Sequence, residues 1–189
     1  MGLLSNKMKL YPKSEKSSLP YWFAHWVAFQ KVAIKHHVWM PQYLLHDIEK
    51  PFLMWAWKDY PRVREFHRKH NNHHYQYDNG EIAPWLSCDY VAMAVDWECS
   101  HLTKEDKKLD AYGEFCRKLE DAYDEKNPVK IHILVNHLLP VLEWMGFAVD
   151  FENTEIGKKV MSGEWTNWDA APFYEKMYGR KAPELNFTE

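Results

Sequence analysis

The sequence predicts an all-α protein, a bundle of helices without sheet. Three observations carry that expectation. Apolar residues recur at helical spacing over long stretches, as in YWFAHWVAFQKVAI from Tyr21 and VKIHILVNHLLPVLEWMGF from Val129. Cap residues, prolines and glycines cut the chain into segments of helix length. Few stretches show the strict alternation of a half-buried strand.

The elements follow in order. Residues 1–17 are polar and rich in Lys and Ser, an irregular arm. Ser17-Ser18-Leu19-Pro20 reads as a helix start, with serine as cap and proline in the first turn, and the dense apolar run from Tyr21 to His37 suits a largely buried helix. Pro41 restarts the chain, and PQYLLHDIEK has helical character until Pro51 stops or kinks it. A basic helix is expected from Pro61 to His70, followed by a turn in NNHHYQYDNG. Pro84 opens a helix to about His101, and Thr103 caps a charged one reaching Tyr123. Asn127-Pro128 starts an apolar helix, kinked at Pro140 and ended by Gly146. Beyond Asp150 come one or two short helices, with Asn153-Thr154-Glu155 and Asp169 as caps and Gly179 as a stop.

At 189 residues and 46% apolar, the chain is of a size for one domain with a sizeable core, assigned to residues 18–189. No apolar run reaches the ~18–20 residues of a membrane span, and the first residues lack a secretory pattern. The net charge of −3 argues against nucleic acid as a partner. Cys88, Cys99 and Cys116 are an odd number at no disulfide or CxxC spacing, as expected of reduced thiols in the cytoplasm. No glycine-rich phosphate loop and no G-x-S-x-G elbow is present.

The histidines point to chemistry. Eight of the eleven lie between residues 25 and 74, one of them in the dipeptide His46-Asp47. Metal sites need neutral imidazoles and ionised carboxylates converging from several elements. The chain offers His25 on one helix, His46-Asp47 on the next, His67 on a third, His73-His74 behind it, and Asp89 on a fourth. Adjacent helical side chains diverge by roughly 100°, so His46 and Asp47 would serve two metals. Asp96, two turns after Asp89, is placed to orient a ligand histidine. His36-His37 suit a helix end, His70 solvent, and His132 and His137 core or surface. The tryptophans read mainly as core and pocket wall, with Trp22, Trp26, Tyr75 and Tyr77 near enough to ligands to stack a base.

The order H…HD…H…HH…D resembles the HD-domain superfamily of metal-dependent phosphohydrolases, in its variant with two metals. LLHDIEKP is similar to the superfamily's core stretch, with a lysine three residues after the aspartate. HRKHNNHHYQY from His67 and CDYVAM around Asp89 also resemble an uncharacterised HD-like bacterial and phage family. The resemblance covers residues 20–100. It implies an HD-like helical bundle with the metal site between helices. It implies His25, His46, Asp47 and Asp89 as ligands of a first metal, and His67 with His73 or His74 for a second, Asp47 bridging. Cofactors would then be one or two divalent transition metals: Fe, Mn, Co, Ni or Zn. Glu49 stands where the superfamily has glycine, and His46 comes 21 positions after His25, a short spacing; both departures bear on substrate class.

Such a site activates water against a nucleotide or related small phosphate ester, making the chain a hydrolase. Between residues 50 and 69 the chain carries six basic and two acidic residues, a local net of +4. Lys50 and Arg68 adjoin the ligands and are the expected phosphate contacts beside the catalytic Asp47. The alternatives are a di-iron oxygenase on the same ligands and a non-catalytic metal-binding interaction protein. The expected partner is a small-molecule phosphate ester, with no membrane; a homo-oligomer stays open.

Overall fold

Cap chemistry decides where the first long helix begins. In the computed structural model, which describes residues 8–74, 86–148, 150–183 and 187, the Ser18 hydroxyl accepts from the Tyr21 amide at 3.2 Å and starts α1, Leu19–Lys35. Pro20 loses nothing there, because first-turn amides have no partner within the helix. The described residues are all-α: they contain no strand, only an isolated bridge between Tyr11 and Lys104. The turn from Tyr75 onward, Tyr77 and the helix start at Pro84 lie outside the described residues.

The chain packs as two compact units, Met1–His67 with Val95–Asp110, and Arg68–Ala94 with Ala111–Glu189. The first holds α1, a 3-10 turn over Pro41–Leu45, α2 (Glu49–Trp57), α3 (Tyr60–His70) up to His67, and the second half of α4 (Ser87–Thr103). Ala28, Phe29, Ala33, Val63 and Cys99 are fully buried in it. Tyr11 ties the arm down, donating its amide to the Thr103 carbonyl at 2.9 Å and accepting from the Glu105 amide at 3.1 Å.

The predicted helix through PQYLLHDIEK is two elements. The 3-10 turn ends at His46, Asp47 takes a left-handed conformation at φ 61°, and α2 starts at Glu49. Pro51 therefore falls in a first turn, where its missing amide costs nothing, and it neither stops nor kinks the helix.

The second unit carries α5 (Ala111–Asp124), α6 (Pro128–Ile133), α7 (Leu139–Trp144), α8 (Glu155–Met161) and α9 (Ala171–Tyr178). Phe115, Leu119, Ile131, Leu138, Leu142 and Tyr174 are among its fully buried side chains. Asn127 caps α6, accepting from the Lys130 amide at 3.1 Å. The expected kink at Pro140 takes the form of a π turn over Leu134–Leu138 just before it. A proline amide cannot donate to the carbonyl four residues back, so the preceding turn widens. Thr103 closes α4 instead of capping α5, its hydroxyl donating to the Cys99 carbonyl at 2.9 Å. The charged stretch after it stays irregular up to Ala111.

Candidate metal centre

Helix α1 presents two rows of side chains to the segment that carries His46 and Asp47. Trp22, Trp26 and Gln30 follow one another at i+4 and act as donors: Trp22 Nε1 to the Asp47 carbonyl at 2.8 Å, Trp26 Nε1 to that of Leu44 at 3.1 Å, and Gln30 Nε2 to that of Tyr43 at 2.7 Å. Two of these carbonyls also accept locally, Tyr43 from the His46 amide at 3.2 Å and Asp47 from the Lys50 amide at 3.1 Å, so the side-chain donors take up a carbonyl's second lone pair. The row pins the turn along α1, and its first member holds the left-handed Asp47. A non-glycine residue at positive φ persists only where its surroundings enforce it. The tryptophans expected as packing are therefore also positioning donors.

The neighbouring row supplies His25 and Phe29. The Phe29 ring stacks on the His46 imidazole at 3.7 Å between centroids, which fixes the plane of that ring. His25 stacks on Tyr21 and turns Nδ1 toward Thr103 Oγ1 at 3.5 Å. Its Nε2 faces the carboxylates.

Four donor atoms converge. His25 Nε2 is 3.0 Å from Asp96 Oδ1 and 3.6 Å from Asp47 Oδ2, and His46 Nε2 is 3.6 Å from each of the same two oxygens. Two donors bound about 2.1 Å from one metal stand about 3.0 Å apart at a right angle and about 3.4 Å apart at the tetrahedral angle. The observed spacings cover that range, so the residues fit a metal ion. All four donor atoms lie within 4.8 Å of one another.

Protonation also suits a metal. Burial drives His25 down to about 4, so its imidazole is neutral near pH 7. Burial pushes the Asp96 carboxyl upward, but its hydrogen bonds with His25 and His46 outweigh this and hold it well below the usual carboxylate range. Neutral imidazoles and ionised carboxylates are the ligand forms a divalent cation requires.

The fourth donor is Asp96, where the resemblance implies Asp89. Both lie on α4, seven residues and therefore about 10 Å apart along its axis at about 1.5 Å per residue. One metal cannot take both. Asp89 belongs to the second unit, where it accepts from Asn72 Nδ2 at 2.8 Å, and partial burial raises its carboxyl above the ordinary range. Asp96 therefore supplies a donor itself, beyond the orienting role expected of it.

His67 is fully buried and reaches Asp47 Oδ1 with Nε2 at 3.1 Å, while Nδ1 pairs with the Glu49 carboxylate. Glu49 is the side chain that the sequence pattern did not assign. Its only signal was that it replaces the superfamily's glycine. Burial opposes ionisation of Glu49, but its bond to His67 prevails and lowers its carboxyl. Asp47, Glu49 and His67 make a second group with donors within 4.8 Å. His73 and His74 lie in the second unit, their rings 4.4 Å apart, with His73 buried.

Lys50 donates to Asp47 Oδ2 at 2.5 Å. Burial disfavours its charge, but the Asp47 carboxylate outweighs that and raises its pKa. Arg68, expected beside Lys50 as a phosphate contact, is exposed and belongs to the second unit. A cavity of about 380 Å³ opens beside the cluster, lined by His25, Asp47 and Lys50 together with Trp22, Trp55 and Lys104. Among the described residues no helix is long and apolar enough to cross a membrane. No family model, curated protein or solved structure matches the chain.

Proposed function

We propose that this chain is a metal-dependent phosphohydrolase acting on a nucleotide or a related small phosphate ester. The observation that carries the reading is the convergence of His25 Nε2, His46 Nε2, Asp47 Oδ2 and Asp96 Oδ1 at metal-ligand spacing, with His25 and Asp47 lining a cavity. A divalent metal held there supplies Lewis acidity to a phosphoryl oxygen and makes water a stronger acid. The chain's own residues do the rest. Lys50, on the cavity wall, turns from Asp47 to a phosphoryl oxygen once the carboxylate is committed to the metal. His67, held at Nδ1 by Glu49, keeps Asp47 oriented through its second oxygen.

The test is metal analysis of the purified protein, followed by phosphate release from a panel of nucleotides and simple phosphomonoesters with Mn, Co, Ni, Fe and Mg. Asp47→Asn and Asp96→Asn should each abolish release. A protein that binds no metal, or binds it and releases no phosphate, overturns the reading. Oxygen uptake by the iron form would put an oxygenase in its place.

A further inference from the structure

The cavity carries more positive charge than one phosphoryl group on a metal requires. Lys16, Lys50 and Lys104 all line it, against Asp47 as the lining carboxylate, in a chain of net charge −3. Two of these lysines are answered: Lys50 by Asp47 at 2.5 Å and Lys16 by Asp106 at 2.6 Å. Lys104 is not. Its Nζ donates to the Ser100 hydroxyl at 2.8 Å and stands 5.8 Å from the Tyr21 ring centroid, and among the described residues no carboxylate lies within ion-pairing distance of it. Its charge acts on the Asp96 and Asp106 carboxylates only without direct contact, so an entering anion can take the direct, charge-assisted place beside it. Ser17, Ser18 and the first turn of α1 share this wall, and the partial charge of a helix start has the same sign.

We propose that Lys104, supported by Lys16, forms an anion subsite for a second phosphate, so that the ligand of this cavity is a di- or triphosphate and not a phosphomonoester. The proposal rests on the reading of the metal centre given above, because the first phosphate is the one beside Lys50 and the metal ligands. A volume of about 380 Å³ lies at the small end of ligand sites. That space suits a short phosphoanhydride chain inside. Trp55, 82% exposed and also lining the cavity, offers a ring face for the organic part.

The experiment is calorimetric titration of the full chain, at saturating manganese, with inorganic phosphate and with imidodiphosphate, which resists hydrolysis. The native protein should bind imidodiphosphate at least about tenfold more tightly than phosphate, one charge-assisted contact being worth that much or more. Lys104→Gln should reduce the ratio to less than about threefold with unchanged melting temperature, and Lys104→Arg should restore it. An equal ratio in native protein and Lys104→Gln overturns the subsite, as does native protein that fails to discriminate. Hydrolysis of p-nitrophenyl phosphate, measured in parallel, reports on the metal centre alone. Discrimination without hydrolysis removes the phosphohydrolase reading and keeps the subsite; hydrolysis without discrimination does the reverse.

Discussion

Phe29 and His46 stack with their ring centroids 3.7 Å apart and their planes 19° from parallel. Phe29 is fully buried, so it serves the core and the ligand together. Phe29→Ala should cost about 3–5 kcal/mol of stability, the range for removing a buried aromatic ring. Phe29→Leu fills most of the volume and should keep the fold, yet loosen the imidazole. Zinc affinity measured by competition with a chelator should then fall in Phe29→Leu while its melting temperature stays within several degrees of the native value.

Asp96 and Asp89 lie on one helix, and only Asp96 has His25 Nε2 at 3.0 Å. Asp96→Asn should lower metal affinity by more than the about 10–100-fold that a supporting residue costs. Asp89→Asn should leave metal content unchanged. Elemental analysis of the two purified variants decides between the carboxylates, and the opposite pattern would return Asp89 to the ligand set.

Asp47 combines a candidate ligand oxygen with φ 61°. Asn tolerates the left-handed region nearly as well as Asp, whereas a β-branched residue there is strained. Asp47→Asn should therefore fold, with weakened metal binding, and Asp47→Val should be clearly less stable than Asp47→Asn. Equal melting temperatures for the two would show that the turn relaxes without strain.

Trp22 Nε1 donates to the Asp47 carbonyl at 2.8 Å. Trp22→Phe keeps a ring and removes the donor, at about 1 kcal/mol for one neutral hydrogen bond. Its effect on metal affinity should exceed that of Trp26→Phe, because Trp26 holds Leu44 and not a ligand residue. Equal losses would mean that the row acts only through general packing.

In the second unit, burial lowers His132 from its ordinary value to about 4, and His137 beside it adds a smaller push in the same direction. Asn136 Nδ2 donates to His132 Nδ1 at 2.9 Å, and the Phe187 ring lies 5.1 Å from the imidazole. The unfolded chain takes up a proton near pH 6.5 while the folded one resists until about pH 4. Stability is thus complete above about 6.5 and falls as pH drops toward 4. His132→Phe should flatten that part of the curve of melting temperature against pH; an unchanged slope would assign it to other groups.

The sequence alone determined the helical class and most helix starts, because capping is local. Ser18 and Thr154, each within a short run read as a cap, accept from an amide three residues on, and so does Asn127 at the Asn-Pro break read as a boundary. It also singled out His25, His46 and Asp47, since residue type and order along the chain survive folding. It could not choose between Asp89 and Asp96, which share a helix face by periodicity and differ only in what packs against each turn of α4. Nor could it read the left-handed Asp47, a backbone state enforced by donors on α1 that are distant in sequence. Lys104 is the plainest case: nothing near it in sequence marks it. What sets it beside the candidate ligands His25 and Asp47 is the packing of the end of α4 against α1, where Tyr21, Ser100 and the cavity meet.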